Sequence, residues 1–170
     1  MATKAKAFLF KNYWWIGLIL GSVASGLAYH FGEGDWVGLV GASIAGTLGF
    51  FYFAQQQRLS ETQLFYSLFT DFNSRYDKLN GCLSEIASRA EGLQDGDRAV
   101  IVDYFNLCAE EYLFYKQGYI HKDAWRSWCR GMLWYLRRHP FKDVWNEEVQ
   151  IESFYGLTLS LIKEGADLTS

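Results

Sequence analysis

The sequence predicts an all-α protein: an N-terminal transmembrane helical hairpin followed by a cytoplasmic helical bundle of about five to six helices. Three observations predict it. Residues 13–31 and 36–54 are two runs of 19 residues without Asp, Glu, Lys or Arg, separated by Gly32-Glu33-Gly34-Asp35. Beyond them, apolar residues recur every three to four positions, the period of a helix with one buried face. No segment alternates as a half-buried strand does. A helix rises about 1.5 Å per residue, so each run just crosses a hydrocarbon layer of about 30 Å. Lipid cannot satisfy free backbone N–H and C=O groups, which leaves the helix as the form for both.

The chain thus divides into a basic tail, 1–12, a hairpin, 13–54, and a helical domain, 55–170. The tail carries Lys4, Lys6 and Lys11 and no acid; the turn carries Glu33 and Asp35 and no base. The positive-inside rule holds the tail in the cytoplasm, and two crossings return the chain there, with Arg58 following the second run. A multi-pass protein with both termini cytoplasmic is expected. A cleaved signal peptide would also begin with bases, but this apolar run is too long and a second follows at once. Cys82, Cys108 and Cys129 form no CxxC pair and have no His at ligand spacing, so reduced, half-buried thiols are expected.

In the hairpin, Tyr13, Trp14 and Trp15 mark one membrane border and Tyr29, Phe31 and Trp36 the other. Small residues recur at one-turn spacing: Gly17, Gly21 and Ser25 in the first run, Gly38, Ala42 and Gly46 on one stripe of the second, and Gly41, Ala45 and Gly49 on its neighbour. Such spacing lets helix backbones approach closely in lipid. One stripe of the second run suffices to pack the hairpin, and the other is left for a second copy, so a homo-oligomer in the bilayer is expected. His30 lies at a membrane border and no ionisable group sits mid-span, which excludes a midplane proton relay or ion site.

Gln55-Gln56-Gln57-Arg58 contains no Gly or Pro, so the second span is expected to run on into the domain as one long helix, with Leu64, Phe65, Leu68, Phe69, Phe72, Tyr76 and Leu79 at helical spacing as far as Asn80-Gly81. A second soluble helix follows over Leu79, Leu83, Ile86, Ala90 and Leu93. Asp97 is a candidate N-cap for a third, which carries Val100, Ile101, Tyr104, Leu107, Cys108 and Leu113 and is closed by Gly118. Residues 121–138 form a fourth, with Trp125, Trp128, Cys129, Met132, Leu133 and Leu136 inward, ended by Pro140. Residues 141–149 and 151–163 close the domain as shorter helices.

Three constellations could carry chemistry. On FNSRYDKLN, Asn73, Asp77 and Asn80 share a helix face; on DYFNLCAEEY, Asp103, Asn106 and Glu110 do. A carboxylate site for a metal or for proton transfer is one reading, yet there is no EF-hand loop, HExxH or Glu-x-x-His to complete it. The other reading pairs Arg75 with Glu110 or Glu111 in a half-buried fork, worth on the order of 3 kcal/mol if one partner is stranded. The third constellation is basic. Residues 115–142 hold Lys116, Lys122, Arg126, Arg130, Arg137, Arg138 and Lys142 against the single acid Asp123. Lys122, Arg126 and Arg130 form one stripe beside Trp125 and Trp128, fit for neutralising neighbouring acidic helices, for anionic lipid, for single-stranded nucleic acid with Trp stacking, or for an acidic partner. No nucleophile elbow or phosphate-binding glycine loop occurs, so no enzyme and no cofactor are expected.

Two apolar runs followed by FNSRYDKLN, DYFNLCAEEYLFYKQGYI and WRSWCRGM, then a proline and an aromatic-rich tail, resemble a group of bacterial two-transmembrane proteins of prophages and anti-phage defence, in particular the two-transmembrane effector of retrons. The resemblance implies a toxin-like effector of the bacterial inner membrane, held quiet by a separate reverse transcriptase with its multicopy single-stranded DNA and disrupting the membrane once released. It carries no site residues over. A membrane-anchored helical adaptor, or a prophage exclusion protein that binds a protein or nucleic-acid partner, is the alternative.

Overall fold

The computed structural model describes residues 2–31, 34, 36–89, 92–150 and 154–167, the backbone alone for 2–11 and 31. The six helices are α1 (Ala2–Phe31), α2 (Trp36–Ser88), α3 (Asp97–Lys116), α4 (Lys122–Leu136), α5 (His139–Val149) and α6 (Leu159–Ala166). Among the described residues there is no strand. The chain forms two units, Met1–Gln63 and Leu64–Ser170, so the division falls inside α2, beyond the end of the apolar run.

In the first unit, α1 and the first part of α2 run antiparallel. Tyr13 meets the Phe51 ring edge-on at 6.1 Å and lies under the Arg58 guanidinium, while Tyr29 meets Trp36 at 5.6 Å. The seam is made by the glycines of α1. A Cβ on Gly17 would stand 2.6 Å from the Phe51 ring, and one on Gly21 would stand 2.5 Å from Thr47 Oγ1. The small-residue stripes of α2 do not pack it, which corrects the sequence reading. Val40, Ser43, Thr47 and Phe51 are half-buried and Ala54 is buried, whereas Gly38, Gly41, Ala42, Ala45, Gly46 and Gly49 are exposed. The physical reason is that one close-approach groove, already cut into α1, lets larger side chains of α2 fill it. The hydroxyls in the seam return to their own helix, Ser43 to Leu39 O at 2.9 Å and Thr47 to Ser43 O at 2.8 Å, so neither is left unbonded.

Among the described residues α2 is the one helix long and apolar enough to cross a membrane. A clear pair of spans is not seen: Tyr13, Trp14, Trp15, Tyr29 and His30 occupy the ends of the apolar run in α1. The charges that set the expected orientation (Lys4, Lys6, Lys11, Glu33 and Asp35) lie outside the described side chains.

The second unit holds the end of α2 with α3–α6, five helical segments around one core. α2 is unbroken through Asn80-Gly81, so the expected break and separate second helix are absent. A mid-helix glycine costs about 1 kcal/mol, and Leu83 and Ile86, both buried one turn on, outweigh that. Leu93, expected inward, lies outside any helix and is exposed. Asp97 is the first residue of α3 rather than its cap. Gly96, at φ 90°, takes the cap position, and the Asp97 carboxylate accepts from Gln94 N at 2.8 Å and from Arg89 at 2.5 Å. Gly118, at φ 84°, ends α3 in a Schellman arrangement: its N–H reaches Tyr115 O and that of Tyr119 reaches Phe114 O.

Pro140 stands in the first turn of α5 rather than merely closing α4, which ends at Leu136; a first-turn N–H has no helical partner to lose. The last helix is α6 alone, shorter than the expected 151–163, and residues 151–153 lie outside the described residues. Tyr155 and Gly156, at φ 50° and 82°, turn the chain before Thr158 caps α6 through Leu161 N. α4 packs against α3, α5 and α6 and is the middle of the unit.

The α4–α6 contact is closed by Gly165. A Cβ there would stand 2.5 Å from Cys129 Sγ and 2.6 Å from Trp125 Nε1, both on buried residues of α4. Gly165→Ala is therefore expected to destabilise the second unit by about 2 kcal/mol despite the better helix propensity of Ala. Chemical denaturation read by far-UV dichroism checks this; a midpoint equal to or above that of the unsubstituted chain would show that α6 does not sit against α4 as described.

Candidate functional site

Glu110 and Glu111 are neighbours on α3 and face different ways, because successive helical residues are about 100° apart. Glu110 faces α2, where Arg75 grips it with two hydrogen bonds, Nη1 to Oε2 at 2.5 Å and Nη2 to Oε1 at 3.0 Å. This bond and the nearby carboxylates raise the guanidinium further above its ordinary value. Arg75, Lys78, Leu79, Asp103, Asn106, Leu107 and Glu110 together line an open groove of about 390 Å³. The structure thus brings Asp103, Asn106 and Glu110 onto one wall, with two bases opposite. Asp77 is exposed and lines no part of this groove. Among the described residues no three His, Cys, Asp or Glu side chains come together to hold a metal ion.

Glu111 turns into the unit and is 6 % exposed. It opens onto a cavity of about 180 Å³ between α2, α3 and α4, lined also by Asn73, Tyr76, Tyr104, Ser127, Trp128, Gly131 and Met132. Its carboxyl accepts no hydrogen bond from the described side chains. Burial, partly opposed by Arg75 and reinforced by Glu110, raises its pKa to about 8. The tyrosines around it are tied to one another: Tyr76 Oη lies 3.1 Å from Asn80 Oδ1 and 3.3 Å from Tyr135 Oη. Trp128 stacks on Phe69 at 5.8 Å and meets Phe72 edge-on, which fixes the cavity wall. Burial also pushes the Cys129 thiol up to about 12 and Cys108 well above its ordinary value, so neither supplies a thiolate nucleophile at neutral pH.

The basic helix is largely committed to its own unit. Arg126 pairs with Asp123 at 3.0 Å, Arg130 Nε donates to Ala166 O at 3.2 Å at the end of α6, and Arg138 lies 3.3 Å over the Trp134 ring. Lys122 and Arg137 are exposed. Trp125 is buried, stacked on Tyr115 at 4.8 Å, so it is not a stacking platform for a base. Sequence reasoning offered Glu111, beside Glu110, as a partner for Arg75 in a half-buried fork; the structure gives Arg75 to Glu110 and buries Glu111. The signal for its burial was present, since Tyr104, Cys108, Glu111 and Tyr115 follow one another at i, i+4, i+7 and i+11 on the apolar stripe of α3. Comparison with protein-family models, curated proteins and solved structures finds no match.

The Arg75 and Glu110 side chains are 37 % and 34 % exposed, so water screens the pair. Arg75→Ala is expected to cost about 1 kcal/mol, below the 3 kcal/mol of a buried pair, measured as the shift in denaturation midpoint.

Glu111 gives a pH signature. Its carboxyl is neutral in folded and unfolded chains below the ordinary value of 4.5. Between there and about 8 only the unfolded chain ionises, so stability falls as pH rises, by up to about 1.4 kcal/mol per pH unit; above that both ionise and the loss stops. Glu111→Gln removes this fall, so the difference in stability between the two proteins should grow in favour of Gln from pH 5 to about 8. Parallel stability curves across that range would contradict the burial of Glu111.

Proposed function

We propose that this chain is a non-enzymatic membrane effector whose first unit lies in the bacterial inner membrane as a two-span hairpin and disrupts the bilayer when activated. One observation carries the reading: along 13–30 and 36–54 most of the side chains turned away from the internal seam are apolar and exposed. Trp15, Ile19, Leu20, Val37, Leu48 and Phe53 are each more than half exposed. A helix pair apolar all round is solvated by lipid. The distribution of Lys4, Lys6 and Lys11 against Glu33 and Asp35 supports both termini in the cytoplasm, where the second unit is left to control the first.

The same geometry supports self-association. Gly38, Gly41, Ala42, Ala45, Gly46 and Gly49 are exposed, and a Cβ on Gly41, Gly46 or Gly49 would meet nothing, which leaves close-approach stripes for another copy. The resemblance to retron effectors supports a reverse transcriptase with single-stranded DNA as the silencing partner, and phage infection as the trigger.

Expression of the chain alone in bacteria is expected to depolarise the inner membrane, followed with a potential-sensitive dye, and to arrest growth. Gly41→Leu with Gly49→Leu should abolish both at equal membrane abundance. Full membrane insertion without depolarisation, alone or during infection, would overturn the effector reading. Activity that survives replacement of residues 1–54 by an unrelated hairpin would transfer the function to the second unit, as an anchored adaptor.

A further inference from the structure

We propose that the cavity between α2, α3 and α4 binds a small organic cation, an ammonium or amidinium group on a compact apolar body, with the Glu111 carboxylate as its counter-ion and the rings of Tyr76, Tyr104 and Trp128 around it. The cavity brings a carboxyl group together with aromatic residues and no base. Glu111 is 6 % exposed, lines the hollow and has no hydrogen-bond donor among the described side chains. No described side-chain oxygen is buried without a hydrogen bond, so the Glu111 oxygens are reached from the hollow, where burial of the residue opposes their charge and an arriving cation supports it.

Arg75, the base whose charge reaches Glu111, is already held by both Glu110 oxygens. No Lys, Arg or His lines the cavity. A carboxylate and aromatic rings without a base favour positive charge over negative, and a cation that meets a ring face gains from the aromatic quadrupole. Asn73 and Ser127 add neutral hydrogen-bonding groups at the wall.

The size narrows the class further. A volume of about 180 Å³ is below that of ordinary drug-sized pockets and holds one ring or a short branched chain with its charged group. A nucleotide or a peptide is too large. The proposal stands whether or not the first unit disrupts membranes, because its readout is binding and not permeability.

The full chain in phosphatidylcholine nanodiscs, which carry no net charge, is titrated by calorimetry just above pH 8, where the folded Glu111 carboxyl ionises, with benzylammonium, benzyl alcohol and benzoate. Benzylammonium is expected to bind with a Kd on the order of 0.1–1 mM. Benzyl alcohol should bind at least about tenfold more weakly and benzoate not at all. Glu111→Gln should lose at least about tenfold for benzylammonium while leaving the weak alcohol binding unchanged. Gly131→Leu places a side chain on the cavity wall, where a Cβ meets nothing, and should abolish binding without touching the carboxyl. It keeps the test open should Glu111→Gln fold poorly. No binding of benzylammonium by about 10 mM, equal binding of the alcohol, or unchanged binding in both variants would overturn the proposal.

Discussion

The outward faces of α1 and the first part of α2 set the constraint on which the rest depends. Their internal contact is narrow, centred on a groove in α1 at Gly17 and Gly21 into which Phe51 and Thr47 fit and flanked by ring contacts at Tyr13 and Tyr29. Most of what those helices otherwise present is apolar and exposed, with Ser43 and Thr47 bonding back to their own helix. Water is a poor solvent for such a surface, because exposed apolar area carries a free-energy cost proportional to its extent. A hydrocarbon layer removes that cost and at the same time demands the unbroken backbone hydrogen bonding that the first part of α2 provides. The exposed glycines and alanines of α2 then matter in a way they would not in water, since helix association in lipid rests on close packing.

The second unit obeys the opposite rule. Its stability is built around α4, with Trp125 and Cys129 against Gly165 on one side and Met132 and Tyr135 in the core on another. Aromatic rings supply much of that burial, in edge-on and stacked pairs such as Tyr104 with Tyr135 and Trp145 with Phe154. Against this background Glu111 is an exception, a carboxyl within the core and open to a cavity. Polar groups are left in that position at a cost to stability, which is the usual mark of a functional constraint.

Periodicity made the helical class legible, together with the cap at Gly118 and most of the inward face of α4. It failed where two effects compete. Asn80-Gly81 looks like a stop, but the buried Leu83 and Ile86 carry α2 past it. Pro140 reads equally well as an end or a beginning. The stripes of α2 met the spacing rule for packing, yet spacing cannot say which of two helices offers the groove and which fills it. Glu110 and Glu111 show the same limit at the candidate site. Their order in the chain says that they diverge, and only the position of α2 decides which one Arg75 takes. The basic stripe was visible as charge; its engagement by Asp123, Ala166 O and Trp134 was not.

The claim that lipid solvates the first unit can be measured directly. Nitroxide labels placed singly at Ile19, Val23, Ile44 and Leu48, all exposed, report collision with oxygen, which concentrates in hydrocarbon, and with a water-soluble nickel chelate, which is excluded from it. In reconstituted bilayers all four positions should be open to oxygen and closed to the chelate, on α1 as on α2. Chelate access at Ile19 and Val23 equal to that of a label at the exposed Asp103 would contradict it, and would leave α2 as the single helix in the membrane.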